Sequence, residues 1–137
     1  MGRIEAILLA AGYSSRMGRL KPLLPIGGTT VIRRQAEVLD GLTDRTIVVT
    51  GYRGDEVEAH LSGSRVTTVR NQAFAEGMFT SVKAGILALD QEVSAFLILP
   101  VDYPLVTRSL IEDLIEEFHH SGAPVLYPSF SMRKGHP

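Results

Sequence analysis

Cysteine is absent from the 137-residue sequence, which excludes a disulfide framework and a metal site built on thiolates. An excess of charge is also lacking: the formal net charge of -1 gives no electrostatic basis for binding nucleic acid or an anionic membrane. No hydrophobic run approaches the roughly 20 residues that span a bilayer. The apolar stretch at residues 6–11 is too short for the core of a signal peptide. We therefore expect a cytoplasmic protein with neither a nucleic-acid nor a membrane partner.

The composition is that of an ordinary globular domain. Hydrophobic residues make up 45% and charged residues 21%, and the length suffices for one domain with a real core. The chain shows no internal repeat, low-complexity segment or linker. The sequence therefore predicts a single domain over residues 1–137.

Strand-like and helix-like segments alternate along the chain. The predicted strands are short apolar or β-branched runs at residues 4–10, 45–50, 65–69, 95–99 and 123–127. Between them, helices are predicted at residues 30–39, from residue 55, at 78–89 and at 109–120. This alternation indicates the α/β class with a mainly parallel sheet.

Capping signals mark the ends of these helices. The predicted N-caps are Thr29 or Thr30, Asp55 with Glu58, and Ser109 with Glu112, while Gly122 closes the last helix. A further helix is expected after the fifth strand, but residues 127–137 have polar loop character. We therefore expect a fragment of a longer protein, truncated at the C-terminus.

The predicted strand order places a ligand site at one edge of the sheet. The first and fourth strands are the most apolar, so we place them side by side at the centre, which gives the order 3-2-1-4-5. Ligands of open parallel sheets bind beyond the carboxyl ends of the strands, where the strand order reverses. The loops after the first and fourth strands should therefore form the site.

The loop after the first strand, at residues 9–21, is suited to phosphate. Small residues at Ala10, Ala11 and Gly12 let the backbone approach a ligand closely, and backbone N–H groups can cradle phosphate oxygens. Arg16 and Lys21 add cationic donors. The alternative is a solvated surface turn.

Two well-known phosphate loops do not fit this segment. Five residues separate Gly12 from Gly18, and Arg19 follows, which excludes the P-loop spacing. The dinucleotide fingerprint needs three glycines, and only these two occur here, which disfavours a dinucleotide-dependent oxidoreductase.

Asp102 directly follows the fourth strand, between Pro100 and Pro104. A carboxylate facing a phosphate loop suits Mg²⁺, which usually takes one or two carboxylates together with substrate phosphates. The alternative is that Asp102 only caps a turn.

A third polar segment follows the third strand. Asn71, Gly77 and Ser81 could hydrogen-bond a base or ribose, and the N-terminus of the helix there favours phosphate. From chemistry alone, a role as loop and cap residues is slightly favoured. The adjacent His119 and His120 point in different directions on a helix and make a poor chelate.

These motifs together resemble the MobA-like NTP transferases, which include enzymes that attach CMP or GMP to molybdopterin. The first loop, LLAAGYSSRMG with Lys21, resembles the family's signature loop. Asn71 with EGM and Ser81 resembles its second motif, LPVDYPL its metal-binding motif, and RKGHP its later Gly-His-Pro segment. The resemblance covers essentially the whole chain.

The resemblance implies a Rossmann-like, three-layer nucleotidyltransferase fold and transfer of NMP from an NTP to a phosphorylated acceptor, with release of pyrophosphate. It implies Arg16, Lys21 and Asp102 as catalytic residues, with Asp102 as ligand of the cofactor Mg²⁺. It implies nucleotide binding by Leu9, Ala10, Ala11, Gly12, Ser14, Ser15, Arg16, Lys21, Asn71, Gly77 and Ser81. The Ala-Ala-Gly form of the loop is similar to the cytidylyl branch, which favours CTP. Family members continue beyond the Gly-His-Pro segment and supply a second acidic ligand there.

Three functions remain open at this point. The acceptor could be molybdopterin, or a sugar or polyol phosphate. Alternatively, the chain could be a nucleotide-binding regulatory or partner-recruiting module without turnover, and an additional domain or partner protein is possible.

Overall fold

In the computed structural model of the protein, which describes residues 2–12, 20–130 and 133–134, a parallel four-stranded sheet forms the frame. Its strands are β1 (Arg3–Ala10), β4 (Arg45–Thr50), β5 (Thr67–Arg70) and β6 (Val93–Pro100). Four two-residue strands form two small antiparallel hairpins: β2 (Pro25–Ile26) with β3 (Thr29–Thr30), and β7 (Ser129–Phe130) with β8 (Arg133–Lys134).

Four α-helices connect the long strands or follow them. They are α1 (Val31–Leu39), α2 (Gly54–Ala59), α3 (Met78–Leu87) and α4 (Arg108–Ser121). Two short 3₁₀ segments, Lys21–Leu23 and Phe74–Glu76, lie at the edge of the sheet that carries the candidate site. Among the described residues, no helix combines the length and apolar character needed to cross a membrane.

The order of the sheet is β5-β4-β1-β6, and every pair of neighbours is parallel. The predicted order 3-2-1-4 is therefore confirmed for the first four strands. The predicted fifth strand at residues 123–127 is wrong, because this segment is irregular. Pro124 has no N–H to donate to a ladder, which disfavours pairing at this position. In the described part of the chain β6 pairs with β1 alone and is an edge strand, and Phe96 is 41% exposed.

The core has two halves, one on each face of the sheet. Side chains of β1 alternate between the faces, so that Leu8 packs with Ile32 and Leu39 of α1. Ile7 and Leu9 point to the other face, where α3 packs. Helices thus cover both faces, and the predicted three-layer α/β arrangement is confirmed.

Two of the predicted caps are correct and two are wrong. Thr30 Oγ1 accepts a hydrogen bond from Arg33 N at 3.3 Å, and Gly122 ends α4 with a φ of 67°. The cap of α4 is Thr107 rather than Ser109, since Thr107 Oγ1 accepts from Leu110 N at 3.2 Å.

The predicted cap at Asp55 is also wrong. The N-cap of α2 is Arg53, whose φ of 51° lies in the left-handed region, and no side chain of the described residues caps this helix. Asp55 Oδ1 instead accepts a hydrogen bond from Arg70 at 2.8 Å. A tertiary ion pair therefore takes the carboxylate that the local pattern assigned to a cap.

Candidate nucleotide-binding site

The carboxyl ends of β1 and β6 open onto a cleft of about 300 Å³. This is the strand-order switch at which the sequence analysis placed the site. The cleft brings together most of the predicted site residues. It is lined by Leu9, Ala10, Ala11, Gly12, Lys21, Pro22, Phe74, Ala75, Gly77, Met78, Ser81, Pro100, Val101 and Asp102.

Backbone hydrogen bonds fix the start of the loop after β1. Leu9 O accepts from Val101 N at 3.1 Å, and Ala11 O accepts from Tyr52 N at 3.0 Å. Ala10 and Ala11 are each only 2% exposed, so their small side chains are packed while the backbone at Gly12 reaches the cleft. Ser14, Ser15 and Arg16 lie outside the described residues, and their binding role stays a prediction.

Gly51 lets the neighbouring segments approach this loop. A Cβ at Gly51 would lie 2.7 Å from Phe74 Cβ and 3.0 Å from Ala11 O, both closer than normal packing allows. A larger residue would therefore push Ala11 or Phe74 out of place. Glycine at this position therefore allows Ala11 and Phe74, which both line the cleft, to pack closely together.

Lys21 and Asp102 form an ion pair across the cleft. Lys21 Nζ donates to Asp102 Oδ1 at 3.0 Å, and their side chains are 37% and 52% exposed. The sequence assigned the lysine to phosphate and the aspartate to metal, and the structure brings both groups to one place. The same corner of the cleft therefore offers a cation for phosphate oxygens and a carboxylate for a divalent cation.

The side chains of Asn71 and Ser81 are buried and hydrogen-bonded to each other. Asn71 is 6% exposed, and its Nδ2 donates to Ser81 Oγ and to Thr80 Oγ1, both at 2.9 Å. Its Oδ1 accepts from Ala73 N at 2.9 Å. Asn71 thus holds the turn before α3, while Ser81 also lines the cleft. Contact of either side chain with a nucleotide stays a prediction.

The N-terminus of α3 faces the same cleft. Gly77, with a φ of 116°, is the N-cap residue, and no described side chain caps the helix. Such a φ and ψ are tolerated almost only by glycine. The N–H groups of the first turn lack partners inside the helix, and together with the helix dipole they favour an anion at this end.

The donors of the cleft suit Mg²⁺ shared with phosphates better than a metal held by protein alone. Within residues 2–12, 20–130 and 133–134, no group of three or more His, Cys, Asp or Glu side chains could hold an ion. Asp102 supplies one half-exposed carboxylate, a hard oxygen donor. Mg²⁺ commonly binds through one or two carboxylates plus substrate phosphates, so the residues present fit this group.

The described histidines do not take part in this cleft. His60 Nδ1 lies 2.9 Å from Glu56 O, and His120 Nε2 lies 4.0 Å from Glu116 on the exposed side of α4. Larger grooves of about 550 and 560 Å³ lie elsewhere, and neither lining includes a lysine or arginine among the described residues. The small cleft is therefore the better place for a triphosphate.

Sequence reasoning missed two residues of α1 that contact the Asp102 loop. Gln35 is fully buried, and Arg34 lies beside it. The signal was present, because Gln35 occupies the helical position between Ile32 and Leu39 where an apolar residue is expected. A polar side chain on a buried helix face needs a specific partner.

Comparison with known proteins agrees with this arrangement. The model of the MobA-like NTP transferase domain matches residues 6–137. Molybdenum cofactor cytidylyltransferase of Escherichia coli (strain K12) is 40% identical over 93 residues, which are 67% of this chain and 48% of that protein. The chain thus spans about half the length of this relative.

Solved structures share the fold. A nucleotidyl transferase from Methanothermobacter superimposes with a TM-score of 0.74 at 34% identity, covering 83% of this chain and 57% of the other. The 4-diphosphocytidyl-2C-methyl-D-erythritol synthase of Anaerococcus prevotii has a TM-score of 0.69 over 85% of this chain and 51% of the other. Its identity of 21% shows likeness of fold alone. With the match of the domain model over residues 6–137, the chain belongs to the MobA-like NTP transferase domain family.

Proposed function

We propose that this protein transfers NMP from an NTP to a small phosphorylated acceptor and releases pyrophosphate. The observation that carries the proposal is the cleft at the strand-order switch. This cleft contains the loop from Ala10 to Gly12, whose small residues let a ligand approach the backbone, together with Lys21 and the carboxylate of Asp102. Membership of the family supports the same reaction class.

Each part of the cleft has a distinct task in this proposal. The backbone from Ala10 to Gly12 and the first turn of α3 face the phosphates, and Lys21 neutralises part of their charge. Asp102 would hold Mg²⁺ together with the phosphates, and the ion would supply further charge neutralisation. Arg16 would add a second cation from the part of the loop outside the described residues.

The reaction is a substitution at phosphorus. An oxygen of the acceptor phosphate forms a bond to the α-phosphorus, and the bond from that phosphorus to the bridging oxygen of the β-phosphate breaks. Pyrophosphate leaves with the electron pair of that bond. Catalysis of this kind consists mainly of positioning and of stabilising charge, which are the two tasks that the cleft residues can perform.

CTP is the favoured nucleotide, and molybdopterin the favoured acceptor. The name of the Escherichia coli relative supports both, at 40% identity over two thirds of this chain. The Ala10-Ala11-Gly12 form of the loop supports the cytidylyl branch. A sugar or polyol phosphate is the second candidate acceptor, because the domain family that this chain matches does not specify the acceptor.

Calorimetry with CTP, GTP, ATP and UTP, each with and without Mg²⁺, tests the nucleotide. We expect Mg²⁺-dependent binding with preference for CTP, and binding of none of the four would contradict the proposal. Release of pyrophosphate is then measured with molybdopterin and with 2C-methyl-D-erythritol 4-phosphate as acceptors. Turnover with one of them identifies the acceptor class, whereas tight nucleotide binding without turnover in either case favours a regulatory module.

A further inference from the structure

We propose that Arg34 and Gln35, adjacent residues of α1, are positioning residues that hold the Asp102 loop in the geometry needed for the metal–nucleotide complex. The inference rests on the proposed function, because it assigns a purpose to contacts around the proposed metal ligand. Neither residue lines the cleft, so both would act through Asp102.

Gln35 contacts the loop on both sides of Asp102. Its Nε2 donates to Pro100 O at 3.1 Å and to Tyr103 O at 3.2 Å. Both acceptors are backbone carbonyls, so only the NH₂ group of the side-chain amide can serve them. The amide therefore bridges the residues that flank the carboxylate.

Arg34 extends the same contact along the loop. One nitrogen of its guanidinium, NH1, donates to Pro104 O at 2.5 Å and to Val106 O at 3.0 Å. Two consecutive residues of one helix thus bind carbonyls at four positions between residues 100 and 106. Hydrogen bonds to a charged donor are stronger than neutral ones, which makes Arg34 the firmer of the two contacts.

The Asp102 loop also has backbone hydrogen bonds of its own. Pro100 and Pro104 have no N–H, and the backbone hydrogen bonds of the segment come from Val101, Tyr103 and Val106. The side chain of Asp102 is 52% exposed and is bound to Lys21, itself a surface side chain. To these contacts α1 adds four hydrogen bonds to backbone carbonyls on either side of Asp102.

Gln35 is also an unfavourable residue for the core, unless the loop requires it. It is 0% exposed on a helix face that it shares with Ile32, Ala36 and Leu39. Its Oε1 is buried without a hydrogen-bond partner among the described residues. An unpaired buried polar atom costs about 1–3 kcal/mol, and a methionine of similar volume would avoid that cost. A glutamine at this buried position is explained if its Nε2 hydrogen bonds to Pro100 O and Tyr103 O are needed to position Asp102.

The experiment uses two variants of the whole chain and a matched control. Gln35→Met keeps the volume of the side chain and removes its donors, and Arg34→Met removes the guanidinium from a half-buried position. Arg33→Met is the control, because Arg33 NH1 likewise donates to two carbonyls, His60 O at 3.1 Å and Ser62 O at 2.9 Å. Those carbonyls belong to the segment after α2, away from the cleft.

Binding of Mn²⁺ is measured by electron paramagnetic resonance with CTP present and, separately, with GTP. We expect each of Gln35→Met and Arg34→Met to weaken Mn²⁺ binding about 10- to 100-fold, the usual loss when a residue that orients a metal ligand is removed. Arg33→Met should retain wild-type affinity. Thermal unfolding checks that the variants are folded, and Arg34→Met decides the matter if Gln35→Met does not fold.

The two proposals fail in different ways. Wild-type Mn²⁺ affinity in a folded Arg34→Met variant overturns the positioning role and leaves the proposed function intact. Equal weakening in Arg33→Met overturns it as well, because the loss would then reflect general damage to α1. If the wild-type chain shows no Mn²⁺ binding with CTP or GTP and calorimetry finds no binding of any of the four NTPs, the proposed function itself is wrong.

Discussion

Lys21 Nζ lies 3.0 Å from Asp102 Oδ1, which connects the segment after β1 to the loop after β6 across the candidate cleft. The pair puts opposite charges at the point where phosphate and a divalent cation would meet. Both side chains are more than a third exposed, so the pair itself contributes only about 0–1 kcal/mol to stability. Substitution of either residue should therefore affect ligands far more than folding.

Asp102→Asn should abolish Mg²⁺-dependent turnover of NTP while leaving the fold intact. The amide keeps the shape of the side chain but is a much weaker ligand for a hard cation. Pyrophosphate release at saturating Mg²⁺ measures the effect, and the thermal midpoint measures the fold. Asp113→Asn on the exposed side of α4 is the control. Normal turnover by Asp102→Asn would remove this carboxylate from the mechanism.

Lys21→Ala should weaken NTP binding by roughly 1.5–3 kcal/mol, the range for hydrogen bonds that involve charged groups. Calorimetry with the preferred NTP and Mg²⁺ measures the loss. Lys83→Ala, which removes an exposed lysine from α3, should leave the affinity unchanged. An unaltered affinity in the Lys21 variant would exclude phosphate binding by this lysine.

Gly85→Ala should destabilise the protein by about 1–3 kcal/mol, the usual cost of overpacking a core. A Cβ at Gly85 would lie 2.6 Å from Ile7 Cγ2 and 3.3 Å from Val49 Cγ2, so either Ile7 or α3 must shift. The gain in helix propensity, up to about 1 kcal/mol, offsets only part of this cost. Urea unfolding checks the difference. If the variant is as stable as the wild type, the packing between α3 and β1 can accommodate an added methyl group without loss of free energy of unfolding.

Acid should destabilise the protein through Glu5, which is 0% exposed at the start of β1. Burial opposes its charge, but hydrogen bonds from Asp90 N, Arg3 and Arg45 outweigh burial and hold the pKa of its carboxyl below the ordinary 4.5. The unfolded chain therefore binds this proton more readily than the folded protein. The stabilisation is complete well above pH 4.5 and is lost as pH falls from there through the folded pKa.

Urea unfolding between pH 7 and pH 3 measures this dependence. Glu5→Gln should be less stable at neutral pH, because the partly exposed Arg3 and Arg45 lose the buried carboxylate that pairs with them. Its stability should also fall less steeply below pH 4.5 than that of the wild type. Parallel curves for the two proteins would assign the acid sensitivity to other carboxyl groups.

Strand adjacency, the cap of α1 and the position of the cleft could be predicted, because each depends on short segments of the sequence. Apolar content placed the first and fourth strands side by side, and their register from Ile4 to Leu9 confirms this. Thr30 caps α1 as predicted, since its hydroxyl oxygen accepts a hydrogen bond from Arg33 N in the first turn of the same helix. The cleft residues from Leu9 to Gly12 lie where the switch-point rule places them.

Features that depend on distant partners could not be predicted in this way. Asp55 binds Arg70 instead of capping α2, and the cap of α4 is Thr107 rather than the predicted Ser109. Asn71 has the donors for a ribose but uses them on Thr80 and Ser81. Gln35 contacts Pro100 and Tyr103, which are more than 60 positions away in the sequence, and a local sequence pattern cannot predict such contacts.

The two sides of the cleft belong to different layers of the protein. The Asp102 loop is held by α1 on one face of the sheet, whereas the N-terminus of α3 approaches from the opposite face. Between them lies β1, whose Leu8 packs towards α1 and whose Ile7 and Leu9 pack towards α3. The thickness of these packed layers therefore sets the width of the candidate cleft. We therefore expect that a methyl group added or removed deep in the core alters ligand binding in the candidate cleft even in a protein that still folds.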